Sequence, residues 1–256
     1  MKPGQTLWTK EQLLLAINLY SKIRFGQMHA SNKEVQDLAV IIGRSPSAVA
    51  RKLGNFASFD PKLQARGVKG LENVSKLDRE VWQEYLNNWD ELFIESEALL
   101  AQKKNTTIEE LNPIENPEPI ITFGREALRQ VVVRLDQTAF RKMVLSNFNY
   151  TCCITGIDQP ELLIASHILP WSENAGNRLN PRNGLALNTL HDKAFDRGLI
   201  TVTEDLTIRV SSILMNSTVP SIRDNFAAYD GRSLISPKKF SPNIEFLKVH
   251  NGRFKP

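Results

Sequence analysis

Cysteine is almost absent: the 256-residue chain has two, the adjacent Cys152 and Cys153. Neighbours in sequence cannot staple distant segments, and no CxxC pair exists, so a disulfide scaffold and a structural zinc are both excluded. The two residues read instead as small buried hydrophobes near a strand turn. Long apolar runs are missing as well. None approaches the roughly 18 residues of a membrane helix, so no membrane association is expected. The opening MKPGQTLWTKEQ lacks the apolar core of a signal peptide, which makes the cytoplasm the expected location. Histidine is scarce, with four in all, so the places where it stands carry information.

What remains is an ordinary soluble composition, 41% hydrophobic and 23% charged, in a chain long enough for two domains. The net charge of +4 is compatible with nucleic acid without demanding it. Its distribution is sharper: from Arg44 to Lys69 six basic residues face one acid, Asp60.

The first hundred residues read as helical. In WTKEQLLLAINLYSKI, Thr9 with Gln12 forms a capping-box signature, and Leu14, Ile17, Leu19 and Ile23 follow at helical spacing. In NKEVQDLAVIIGRSPSAVARKLGNF, Gly43 breaks one helix and Ser45-Pro46 starts the next. Ala39, Gly43 and Val49 fall where a helix-turn-helix places a small residue, a turn glycine and a buried aliphatic. The second helix is then expected to expose Arg44, Ser47, Arg51 and Lys52 to a DNA groove. The later stripe of Trp82, Tyr85, Leu86, Trp89, Leu92 and Phe93 at helical spacing reads as core.

Between Gln102 and Ile121, three prolines, four glutamates and little periodicity predict an extended linker. The expected layout is a helical, DNA-binding domain over 1–100, a linker over 101–122 and an α+β domain over 123–256. In the last part Val131–Leu135 reads as a strand, Gln137–Asn147 as a helix and Leu162–Ile168 as a strand closing near His167. The Gly-, Pro- and Asn-rich PWSENAGNRLNPRNG is a loop. A short strand over 184–188 then leads into a helix over 189–197, capped by Asn188 or Thr189 and stopped by Gly198. His250 reads as a surface residue on a short terminal helix.

Strand, loop, strand and helix with His167, Asn183 and His191 at their joints resemble the HNH nucleases and their ββα-metal fold. DQTAFR, CITG, SHI, NGLAL, LH and FDRG, in that order, resemble the restriction-endonuclease-like branch over about residues 124–210. The resemblance implies a metal-dependent endonuclease that hydrolyses DNA phosphodiester bonds in restriction or phage defence. His167 would be the general base, suited by an ordinary pKa near 6.5. Asn183 would hold the loop that orients it, and His191 would bind a divalent ion, Mg²⁺ or Mn²⁺. Many members carry Asp or His directly before the base, where this chain has Ser166, a weak ligand. Asp196 is therefore expected to complete the metal shell, ahead of Asp192, which is read as pointing elsewhere on the helix. Arg178, Arg182, Lys193 and Arg197 crowd the same region and suit DNA phosphate. The expected partner is double-stranded DNA, and because one HNH module nicks one strand, a homodimer is expected to cut both. Ser166 keeps alive an alternative, a non-catalytic DNA-binding regulator with a degenerate HNH fold. A nuclease toxin acting on RNA is a further reading.

Overall fold

The computed structural model describes residues 6–68, 74–113, 125–174 and 176–256. The chain forms two compact units, Met1–Ala139 and Phe140–Pro256, and mixes helices with two small antiparallel sheets.

The first unit is helical: α1 (Lys10–Lys22), α2 (Lys33–Ile41), α3 (Pro46–Ala57), α4 (Pro61–Ala65), α5 (Lys76–Asn87), α6 (Trp89–Lys104), α7 (Ile108–Leu111) and α8 (Arg125–Leu135). The capping box read from the sequence starts α1, with Thr9 Oγ1 accepting from Gln12 N and Gln12 Oε1 accepting from Thr9 N. Every residue of α1 from Leu13 to Ser21 is buried. A helix buried all round needs partners on several sides, and α2, α3, α5 and α6 supply them. The aromatic stripe is core, as its spacing implied. Trp82 stacks on Phe56 at 5.8 Å, Tyr20 meets Trp82 edge-on at 5.7 Å, and Tyr85 meets Trp89 edge-on at 4.9 Å.

Two expectations fail in this unit. The segment read as an extended linker begins inside α6 and continues into α7, where Thr107 and Glu110 form a capping box; residues 114–124 lie outside the described residues. Val131–Leu135, expected as a strand, ends α8. Three adjacent valines fit neither a helical nor a strand period, and the strong helix formers of EALRQ before them carry the helix through.

A π-helical turn, Asp136–Phe140, ends on the first residue of the second unit and runs into α9 (Arg141–Asn147). Strands β1 (Leu163–His167) and β2 (Gly184–Asn188) pair antiparallel, with His167 opposite Gly184 and Ser166 opposite Leu185. Helix α10 (Thr189–Asp196) follows β2 directly. Then come β3 (Ile200–Val202), β4 (Ile208–Val210), α11 (Ser212–Met215), α12 (Pro220–Asn225) and α13 (Ile244–Asn251). Helices α9 and α10 both pack on the β1–β2 hairpin. Cys152 and Cys153 are free thiols in the core. His250 lies on the expected terminal helix but not at its surface. It stacks on Phe195 with centroids 3.6 Å apart, and its Nδ1 is 2.8 Å from Thr201 Oγ1. Burial pushes its pKa down to about 4.

Candidate active site

Strand β1 delivers His167 to the edge of a long loop, residues 168–183. The imidazole is half-buried and lies flat on Phe140, with centroids 4.1 Å apart and planes within 3°. Its Nε2 is 2.8 Å from the Arg178 carbonyl. A carbonyl can only accept, so Nε2 carries the proton and Nδ1 is the basic nitrogen. The loop thereby selects one tautomer of its histidine.

Asn183 holds that loop in shape. Its side chain is buried, accepts from Leu169 N at 2.9 Å, and donates to the carbonyls of Leu169 at 3.3 Å and Asn177 at 3.2 Å. Its own carbonyl takes Ile168 N at 2.8 Å. Three hydrogen bonds of one side-chain amide tie both ends of the loop together, and Asn177 is next to the residue whose carbonyl meets His167. Arg178 is fixed in turn: Nε donates to the Trp171 carbonyl at 2.9 Å and the guanidinium lies 3.7 Å above the Trp171 ring.

Helix α10 divides the residues that the sequence grouped. Asn188 caps it through Oδ1, which accepts His191 N at 2.9 Å. His191 is turned into the core, 1% exposed. Its Nε2–H donates to the Asn225 carbonyl at 2.7 Å, and Nδ1 lies 3.0 Å from Asn188 Oδ1. Phe226 and Tyr229 pack on the ring at 5.1 Å and 5.8 Å. Burial pushes its pKa below the ordinary value. A neutral imidazole carries one N–H, so with Nε2–H on the Asn225 carbonyl the Nδ1 lone pair faces Asn188 Oδ1, which can only accept, and the two do not hydrogen-bond. Ser166 is likewise 2% exposed, a buried hydroxyl with no hydrogen-bond partner among the described residues.

Asp192 and Asp196 are one helical turn apart and so share a face. Desolvation and then the Asp192 charge hold the Asp196 carboxyl above its usual range, while Lys193, Arg197 and His167 pull it the other way. These five residues thus form one electrostatic neighbourhood. Asp192, set aside in the sequence reading, belongs to it; its i, i+4 spacing from Asp196 was the available signal. Phe140, the Arg178 carbonyl and Asn225 were also missed, and nothing in the sequence marks a backbone carbonyl as a partner. Among the described residues no group of three or more His, Cys, Asp or Glu side chains is placed to hold a metal ion.

In the helical unit, α2 and α3 are joined by a tight turn in which Gly43 adopts φ +65°, the left-handed region that favours glycine. Ser47 and Arg51 are exposed on one face of α3. Lys52 is not, which corrects its expected exposure: it is 7% exposed, and its ammonium bonds both carboxylate oxygens of fully buried Asp78 at 2.8 Å. Arg44 is half-buried and committed to the N-terminal segment, donating to Thr6 O at 2.8 Å and Gln12 Oε1 at 2.8 Å and lying 5.1 Å from the Trp8 ring. Lys193 and Arg197 are exposed beside Asp196 and Arg182 is half-buried. No helix among the described residues is long and apolar enough to cross a membrane.

No curated protein matches the chain. Residues 152–203, the span that holds β1, the loop, β2, α10 and β3, match the family model of HNH endonucleases.

Proposed function

We propose that the protein is a divalent-metal-dependent HNH endonuclease that hydrolyses phosphodiester bonds in double-stranded DNA, of the restriction or phage-defence kind. The observation that carries the reading is the bond from His167 Nε2–H to the Arg178 carbonyl inside a loop clamped by Asn183. A general base needs a basic nitrogen of defined tautomer at a fixed place, and this arrangement supplies one in Nδ1. His167 takes the proton of the attacking water through Nδ1, and the negative charge of Asp196 nearby favours the imidazolium that forms. Asn183 does not react; it holds the loop that orients the base. Lys193 and Arg197 stand beside the site as cations for the DNA phosphates.

The donor set fits a hard cation. Two carboxylates one turn apart, Asp192 and Asp196, repel each other, which a divalent ion would relieve, and Mg²⁺ commonly takes one or two carboxylates with substrate phosphate and water completing its shell. Such an ion would supply Lewis-acid charge against the developing phosphorane and the leaving oxygen. His191 is buried with its Nε2–H on the Asn225 carbonyl, and the two aspartates are assigned the ion ahead of it.

The helical unit is assigned the grip on DNA, through Ser47 and Arg51 on the α3 face, so that one part positions and the other cuts. Cutting both strands then calls for two copies of the chain on one duplex. The test is cleavage of supercoiled plasmid, unmodified and base-modified, with Mg²⁺ or Mn²⁺ and with EDTA, by the wild type and His167→Ala. Nicking or linearisation that needs metal and vanishes in the variant supports the reading. Intact plasmid together with a shifted DNA band overturns it in favour of a non-catalytic DNA-binding protein.

A further inference from the structure

We propose that Phe140 is a positioning residue for His167: its ring sets the plane of the imidazole, so that the loop carbonyl meets Nε2 and Nδ1 is left as the basic nitrogen. The inference rests on the reading of His167 as the general base, but its first readout does not depend on cleavage.

The geometry behind it involves three elements. Phe140 stands at the N-terminus of α9, 1% exposed, and lies parallel to His167 at 4.1 Å. The hydrogen bond to the Arg178 carbonyl fixes one direction in the imidazole, and it does not by itself set rotation of the ring about that direction. A flat partner over one face removes the remaining freedom. The Arg178 carbonyl and the Phe140 ring therefore act at right angles to each other, one in the imidazole plane and one normal to it. The second contribution is electrostatic. The negative face of an aromatic ring attracts a cation, so the parallel ring favours the imidazolium that forms when His167 accepts a proton.

The close approach is made possible by the residue opposite His167 in the hairpin. A Cβ at Gly184 would lie 2.3 Å from Val144 Cγ2 and 3.0 Å from Phe140 Cζ. Gly184 has an extended backbone, φ −129°, so it is the space and not the conformation that excludes a side chain. The glycine after Asn183 thus lets α9 close onto the hairpin and bring the Phe140 ring over the base. The phenylalanine of DQTAFR and the glycine of NGL, over forty positions apart in the chain, serve one contact.

With four histidines in the chain, ¹⁵N-labelled histidine in the full-length protein gives a spectrum in which His167 is assigned by comparison with His167→Ala. The wild type is expected to show His167 as a single Nε2–H tautomer. Phe140→Leu, which keeps apolar volume and loses the flat face, is expected to give mixed tautomer signals and to slow single-turnover plasmid cleavage by about 10- to 100-fold. Phe140→Tyr, which keeps the ring, should restore both. Phe148→Leu, an equally buried aromatic loss beyond the far end of α9, is the control for packing alone and should leave the His167 signals unchanged. If Phe140→Leu does not fold, Phe140→Met takes its place. A His167 spectrum unchanged by loss of the ring overturns the proposal, and so does a spectrum that Phe148→Leu disturbs equally. If the wild type or His167→Ala shows that His167 is not the base, the nuclease reading fails, and the ¹⁵N comparison still decides whether Phe140 sets the ring.

Discussion

Helices α3 and α10 begin alike and end in the same lesson. Each has a side-chain cap, Ser45 on the first and Asn188 on the second. Each carries two adjacent polar residues that residue type alone does not sort: Arg51 and Lys52, His191 and Asp192. In both helices one of the pair is in the core and its neighbour is not. Lys52 reaches Asp78 while Arg51 is exposed, and His191 reaches Asn225 while Asp192 joins Asp196. Consecutive residues on a helix point about 100° apart, so residue type alone cannot say which of two neighbours faces a ligand. The phase of the apolar face decides it, and that phase is set by what the helix packs against.

The largest expected effect separates the two halves of the α10 pair. Replacing Asp192 and Asp196 together by Asn should lower metal-dependent cleavage by about a thousandfold, several kcal/mol of transition-state stabilisation, and abolish heat of Mg²⁺ or Mn²⁺ binding in calorimetry. His191→Gln should leave the binding heat within a few fold and lower the melting temperature instead. Loss of metal binding in His191→Gln with retention in the aspartate variant would reverse the assignment.

On α3 the corresponding contrast is between stability and binding. Lys52→Met strands a buried carboxylate at Asp78, and removing one partner of a buried pair costs about 3–5 kcal/mol; denaturant titration would read it. Arg51→Ala should change stability by no more than about 0.5 kcal/mol. Equal losses at the two positions would break the comparison.

A third expectation concerns pH. His250, at about 4 when folded, and His191, also lowered by burial, stay neutral in the native state where the unfolded chain, near 6.5, takes up protons. Their contribution is complete above about pH 6.5, declines as the pH falls toward 4, and levels off below the folded values. For His250 the loss approaches about 3 kcal/mol. A melting temperature flat between pH 7 and pH 4.5, once carboxylate effects are matched in His250→Gln, would contradict this. The smallest effect is on DNA binding: Arg51→Ala should weaken duplex binding modestly across sequences and reduce the slope of log affinity against log salt by about one.

Much of this architecture was legible. The helix starts at Thr9, Ser45 and Asn188 follow from short side-chain oxygens that satisfy open backbone N–H groups, a local requirement written in local sequence. The order strand, loop, strand, helix from Leu163 to Asp196 follows from apolar runs punctuated by Asn, Pro and Gly. The aromatic stripe of α5 and α6 announced a core by its spacing. Where the reading failed, the deciding interaction was distant in the chain. Val131–Val133 took a helical form from their neighbours, His250 is buried against Phe195, and Lys52 is held by a carboxylate on another helix.

Which residue types could do chemistry, and in what order they follow along the backbone, is local information: a histidine ending a strand, an asparagine closing a loop, and acids and a histidine on one short helix. Capping, turn formation and periodicity act over a few residues, so they can be read without the fold. Which partners those groups meet is settled by packing between elements. The Arg178 carbonyl selects the tautomer of His167, the Phe140 ring lies over its face, and the Asn225 carbonyl occupies His191. Each of these partners is a backbone atom or an apolar ring from another element, and such groups acquire their roles only when packing brings them within hydrogen-bond or van der Waals distance.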